Sequence, residues 1–295
     1  VISSAVLGID VGGTSIKARL ADAAGITCGE WREPTPIGDS SGERTAAVIR
    51  GMLEVARGER AVEAVGLVVP GIVDERSGVC IRAVNLGWLD VPVRDIVQSH
   101  IDVPLAFGQD VRAGALAECL TGAAAGVAGT VAFIPIGTGL ASALIVEGFV
   151  MSSGGWAGEI GQVVISSGPH TGHRVEEIAS AGGMAQRAGE ASALAVAELV
   201  LRGDARATSI WNDGVAVLAE AMAWIFAVAA PDMFVLGGGL TEAGGLLLDP
   251  LEREFAARLP PTRPPVIARA VHGDAAAMIG ATYLARRLLA AGDLP

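Results

Sequence analysis

At 295 residues the chain is long enough for one large domain or for two lobes, with a sizeable buried core in either case. Its 51% hydrophobic content and mean hydropathy of +0.50 require a test for membrane segments; the uncharged run between Glu118 and Glu147 is broken by Gly122, Gly126, Gly129, Pro135, Gly137 and Gly139 and reads as buried strands and a turn. A formal net charge of −11 without a basic cluster argues against a nucleic-acid partner.

The N-terminus enters the apolar segment Ala5–Ile9 with neither the basic flank nor the apolar core of a signal peptide, so a cytoplasmic location without membrane association is expected. Cys28, Cys80 and Cys119 are widely spaced and odd in number, which suits reduced packing residues. Ala5–Ile9 predicts a buried strand; Asp10-Val11-Gly12-Gly13-Thr14 follows as a turn, and Ser15–Asp22, with alternating Ile16, Ala18 and Leu20, as a second strand. A helix over about Glu43–Arg57 and a strand over Ala64–Val69, ending in Pro70-Gly71, come next. A Pro104–Gly108 strand then runs into a helix from Asp110 to Leu120, the alternation of an α/β protein.

The opening pattern returns as strand Thr130–Ile136, turn Gly137-Thr138-Gly139 and strand Leu140–Val146. Each copy closes on a similar turn, Ala24-Gly25 and Glu147-Gly148, so a divergent hairpin repeat is present. Alanine-rich helices are expected over about Gly183–Arg202 and Asn212–Ala230, then a strand Met233–Leu236 ending in Gly237-Gly238-Gly239, and a last helix over about Ala275–Ala290. Pro260-Pro261 and Pro264-Pro265 bracket the clearest surface loop.

Glycine after a buried strand lets backbone N–H groups approach phosphate oxygens without a Cβ in the way. One such turn means little, but two related hairpins and a third glycine cluster fit a nucleotide site. Neither a Gly-x-x-x-x-Gly-Lys-Ser/Thr loop nor a helix-opening Gly-x-Gly-x-x-Gly is present. The sequence Asp10–Lys17 resembles the first phosphate motif of the sugar kinase, hexokinase and actin superfamily, and Gly137-Thr138-Gly139 resembles the second. Within it the chain resembles the ROK family through Asn85–Trp88, Asp110–Glu118, Gly158–Gly161, Val235–Gly239, Gly273–Ala275 and Gly280-Ala281.

That resemblance implies a two-lobed actin-like ATPase (ribonuclease H-like) α/β fold with a nucleotide and sugar cleft between lobes. It divides the chain as 1–108, 109–274 and a C-terminal helix, 275–295, that packs back on the N-terminal lobe. It further implies an ATP-dependent sugar kinase, glucokinase-like, that phosphorylates the 6-hydroxyl of a hexose or N-acetylhexosamine and acts as a homodimer. Relatives that use polyphosphate leave the donor open. Asp110 is the expected catalytic base, with helix capping as its ordinary alternative.

Asp10 is expected to organise Mg²⁺, directly or through water. Phosphate contacts are expected from Gly12, Gly13, Thr14, Lys17, Gly137, Thr138, Gly139, Gly237, Gly238 and Gly239, with Lys17 open to a purely solvated role. Sugar contacts are expected from Gly71, Asn85, Gln109, Glu159, Gln162 and Glu176; Trp88 either covers a sugar face or packs in the core.

Two departures from the family stand out. Gln162 occupies the position where ROK kinases carry a His, and Val163–Glu176 lacks the cysteines of their zinc loop; His170 and His173 alone fall short of a zinc site, so no structural zinc is expected and the loop must be mobile or held by other packing. Gln109 stands where the family has Asn, which redirects sugar specificity. The rival expectation is a degenerate ROK protein acting as a sugar sensor. DNA binding is disfavoured by the charge and by a hairpin that begins near residue 5.

Overall fold

The computed structural model describes residues 5–260 and 264–292. Strand β1 (Ala5–Val11) pairs antiparallel with β2 (Ser15–Asp22), and β2 with β3 (Thr27–Pro34). Helix α1 (Glu43–Glu59) buries Ile49, Met52, Leu53 and Ala56 on one stripe and leads to β4 (Val62–Val69), parallel to β1. A small antiparallel sheet follows, β5 (Ile72–Asp74), β6 (Val79–Ala83) and β7 (Trp88–Val91), then α2 (Val93–His100) and β8 (Leu105–Gln109), parallel to β4. Helix α3 (Asp110–Thr121) leaves the end of β8.

The same layout then recurs. β9 (Thr130–Pro135) pairs antiparallel with β10 (Ala143–Val146), which pairs with β11 (Phe149–Val150). Helices α4 (Val175–Ala179), α5 (Ala181–Ala188), α6 (Ala193–Leu201) and α7 (Ala205–Ala229) intervene before β12 (Met233–Gly237), parallel to β9; α8 (Gly245–Ala256) leads to β13 (Val266–Arg269). The two five-stranded sheets run β3-β2-β1-β4-β8 and β11-β10-β9-β12-β13, each an antiparallel meander continued by two parallel strands. The hairpin repeat seen in the sequence is thus the visible part of a duplicated sheet.

Two units result, one comprising residues through Ala117, Ser152–Ala157 and the segment from Asp274, the other Glu118–Met151 and Gly158–Gly273. The first extends past the expected break at residue 108 because the start of α3 packs with α9 (Ala276–Gly292): Val68, Ala113 and Ala281 form one apolar cluster, and Gly280 leaves no room for a Cβ beside the Ala113 carbonyl. Helix α9 lies on β1, β4 and β8. Each unit has its own core, with Leu7, Ile9, Leu20, Leu53 and Leu67 in the first and Ile134, Trp211, Leu218, Phe234 and Phe255 in the second.

Two helical expectations and one strand boundary are corrected. The Gly183–Arg202 run is two helices, because Gly189 takes φ 78° and ends α5 while Ser192 caps α6 through the Ala195 N–H. Helix α7 begins not at Asn212 but at Ala205, where Asp204 accepts from Ala207 N. Among the described residues α7 is also the one helix long and apolar enough to cross a membrane; it buries Ile210, Trp211, Leu218 and Met222 in the second unit's core. The strand expected from Leu140 starts regular pairing at Ala143, after an isolated Ile136–Leu140 bridge. Part of the expected Pro260–Pro265 loop, residues 261–263, lies outside the described residues.

Candidate functional site

In the first unit, the β1–β2 turn is tightened by Gly12 N donating to Ser15 O (2.9 Å), and is braced from β3's end by Thr35, whose N–H donates to Thr14 O (3.0 Å) and whose Oγ1 donates to Gly12 O (2.6 Å). Gly13 and Thr14 are exposed at its tip, and Asn85 packs against Gly13. Asp10 and Lys17 face each other in register across the hairpin. Burial pushes the Asp10 carboxyl up to about 6; Lys17 pulls it down and the Asp274 charge raises it again. Lys17 is no free surface residue: its Nζ donates to Asp274 O (3.3 Å) and pairs with Asp274 Oδ2 (3.4 Å).

One ammonium set against two carboxylates leaves a surplus of negative charge here. That fits a divalent cation held by Asp10 together with nucleotide phosphates and water, the oxygen-rich partial cage that Mg²⁺ prefers. Among the described residues no group of three or more His, Cys, Asp or Glu side chains gathers as a metal cluster.

Asp110 opens α3, with Oδ1 accepting from Val111 N at 2.7 Å. Its charge is felt at Cys80, whose thiol is pushed up to about 12, chiefly by burial. Cys80 lies beside the Pro70 carbonyl, and β4 pairs Val69 with Gln109, so Asp110 follows directly on the strand position paired with Val69, the residue before Pro70-Gly71. Gly71 has φ 93° and abuts the Arg82 carbonyl, so no side chain is tolerated there. Gln109 is buried, and its Oε1 accepts from Arg112 N at 2.8 Å, capping α3. Trp88 is core: 2% exposed, with Nε1 donating to Asp39 O at 2.6 Å.

In the second unit, Gly137-Thr138-Gly139 and Gly237-Gly238-Gly239 come together: Ile136 N donates to Gly237 O (2.8 Å), Leu240 N donates to Ile136 O (3.2 Å), and Gly238 sits on the Ile136 backbone at φ 79°. The start of α5 backs the first of these turns, with Ser180 Oγ donating to Thr138 O (3.0 Å) and Gly182 N donating to Gly137 O (3.2 Å). Glu176 lies against Gly139 and accepts from Gln162 Nε2 at 2.8 Å. Glu159 ends the Gly158-Glu159 pair just before the short 3-10 turn Ile160–Gln162.

The segment without cysteines is an ordered hairpin. Val175 N donates to Val163 O (2.9 Å), Ile165 N to His173 O (2.8 Å) and Gly172 N to Ile165 O (2.9 Å), with a Val164–Arg174 bridge. Backbone pairing therefore does the holding that the sequence left open between mobility and other packing.

A protein-family model described as ROK family matches residues 6–288. The chain belongs to the ROK family. Its fold is the actin-like ATPase fold of that family: the crystal structure of the ROK hexokinase from Thermus thermophilus superposes with a TM-score of 0.85 at 26% identity, covering 98% of this chain and 100% of that one. A glucokinase of Halalkalibacterium halodurans is 29% identical over 282 residues, 85% of each chain. An N-acetylmannosamine kinase of Yersinia pseudotuberculosis is 28% identical over 298 residues, 96% of this chain and 99% of that protein.

Sequence reasoning missed several residues that hold these turns and the start of α3 in place. Thr35 and Ser180 brace the turns; Asp274 pairs with Lys17; Glu75 and Arg112 surround Gln109. Asp274 lay within a motif already noticed, and Ser180 preceded a helix as caps do. Arg112 also lay within a noticed motif, Asp110–Glu118, but nothing local marks its partner Glu75, and only the folded chain brings the two together.

Proposed function

We propose that this chain, an ATP-dependent sugar kinase of the ROK family, transfers the γ-phosphoryl group of ATP to the 6-hydroxyl of a hexose or N-acetylhexosamine, with Asp110 as general base. The observation that carries this reading is the duplicated sheet, each copy with a glycine turn after its first strand, together with a carboxylate at the junction of β8 and α3. Phosphoryl transfer asks for little covalent chemistry from the protein; it needs held phosphates, charge compensation and a positioned acceptor.

Gly12–Thr14, Lys17, Gly137–Gly139 and Gly237–Gly239 are assigned to the nucleotide, as groups able to offer N–H donors, hydroxyls and a cation. Asp10 would hold Mg²⁺, which neutralises charge on the phosphates. Gly71, Asn85, Gln109, Glu159, Gln162 and Glu176 are assigned to the sugar. Asp110 accepts the hydroxyl proton as the oxygen attacks. The glucokinase and N-acetylmannosamine kinase relatives support this acceptor class, and the Gln109 and Gln162 departures are where its choice of sugar would differ from theirs.

The test follows ADP release from Mg²⁺-ATP over a panel of hexoses and amino sugars, with Asp110→Asn in parallel. One sugar should stimulate release, and Asp110→Asn should lose it by at least about 100-fold while still binding nucleotide. Sugars that bind without stimulating release, from either ATP or polyphosphate, would instead make the protein a sensor.

A further inference from the structure

Arg112 is a charged residue that the proposed reaction does not use, and it is almost wholly buried, its side chain 3% exposed. A guanidinium in such a place is stable only if its donors are met. Nε donates to Glu75 Oε1 at 2.8 Å, Nη2 to Val73 O at 2.8 Å, and Nη1 to Gly155 O at 3.5 Å. Its backbone N–H donates to Gln109 Oε1, and Glu75 Oε1 also accepts from Gln109 N at 3.2 Å. The result is a closed ring: Gln109 N to Glu75, Glu75 to the Arg112 guanidinium, and Arg112 N back to the Gln109 side chain. Asp110 lies on the chain between the two residues this ring fixes.

We infer that Arg112 is a positioning residue for Asp110, acting through Glu75 and Gln109 and tying the base's helical turn to the Ser152–Ala157 strap. This rests on the reading of Asp110 as the base. The strap contacts the same guanidinium through the Gly155 carbonyl and is seated on β5, where Gly155, at φ 92°, leaves no room for a Cβ beside the Val73 carbonyl. Trp156, the next residue, is 60% exposed and so reports on the strap. The planar fork matters: three acceptors on two segments, Val73 and Glu75 at β5 and Gly155 on the strap, are met at once, which a single ammonium on a flexible stem does not reproduce.

The experiment compares wild type with Arg112→Met, Arg112→Lys and the double variant Glu75→Gln/Arg112→Met, using the sugar that wild type phosphorylates best. Arg112→Met should lower kcat about 10- to 100-fold, the cost of a base displaced by a fraction of an ångström, while KM for ATP stays within about 2-fold. Arg112→Lys should recover only part of kcat. The double variant leaves no carboxylate stranded; it should regain the melting temperature but not kcat, and its Trp156 fluorescence, assigned with Trp156→Phe, should remain shifted.

Wild-type kcat in Arg112→Met, or a double variant whose kcat returns with its melting temperature, overturns the inference. If Arg112→Met does not fold, Arg112→Lys decides by the same ratio. A wild type that phosphorylates no sugar removes the base and this inference together, whereas activity that survives in the Arg112 variants removes the inference alone.

Discussion

The two glycine turns occupy equivalent places in equivalent sheets, yet they are held and charged differently. The first follows a fully paired hairpin, is braced by Thr35 and has Asp10 at its base; the second has only the isolated Ile136–Leu140 bridge beyond β9, is backed by the start of α5, and carries Pro135 where the first carries Asp10. In the proposed reading the first turn would take the cation and the second would hold phosphate by neutral hydrogen bonds, so that one position in each copy would divide the work.

Asp10→Asn should break this division most strongly, with turnover of Mg²⁺-ATP falling by about 100-fold or more if Asp10 holds the cation. Stability should move the other way. Because burial raises the Asp10 carboxyl from 3.8 to about 6, the native state holds a proton that the unfolded chain has released; this contribution is fully present below the ordinary value and is lost as pH rises through about 6. Ligand-free Asp10→Asn should therefore melt above wild type at pH 7.5, by on the order of 2 kcal/mol, with little advantage at pH 4. Thermal melts at the two pH values decide it, and an equal gap at both would mean that Asp10 is not strained by its surroundings.

A smaller effect separates the two braces. Ser180→Ala removes both the bond to Thr138 O and the cap accepted from Gly183 N (2.9 Å), so it should cost about 1–2 kcal/mol and raise KM for ATP several-fold. Thr35→Val removes one bond from a turn already set by seven paired positions, and about 1 kcal/mol is expected with a smaller rise in KM. Calorimetry and ATP titrations should give that order; the reverse order would make the first turn the weaker one.

These contrasts also mark what could be read from the sequence. Strand β2 was legible to the residue and β1 to within two, because alternating apolar positions end at a glycine turn; Asp10 and Val11, read as turn, continue β1 by pairing with Lys17 and Ile16. The α5–α6 break was written in Gly189 and Ser192 but masked by a continuous alanine-rich background whose periodicity fits one helix as well as two. The short strands β5–β7 lack the length for a periodic signal. Gln109 was read as a ligand residue, and the structure shows it capping α3 by accepting from the Arg112 backbone N–H. Arg112 itself looks like an ordinary exposed helix position until β5 and the Gly155 strap close over it.

The smallest expected effect tests the most divergent part of the proposed sugar site. Gln162 is exposed and makes its 2.8 Å bond to Glu176 from a hairpin that backbone pairing already holds, so Gln162→Ala should leave the melting temperature within about 1 kcal/mol of wild type. Its consequence should lie in the sugar: a Glu176 carboxylate freed from one partner loses its fixed direction, and KM for the sugar should rise by roughly 2- to 10-fold with kcat nearly unchanged, the mark of lost ground-state binding. Gln162→Glu should do worse, because a second carboxylate beside Glu176 repels it rather than orienting it. Steady-state kinetics over sugar concentration give the split. A fall in kcat with unchanged KM would place Gln162 nearer the transferring phosphate than the acceptor, and would move the specificity difference from this residue to Gln109.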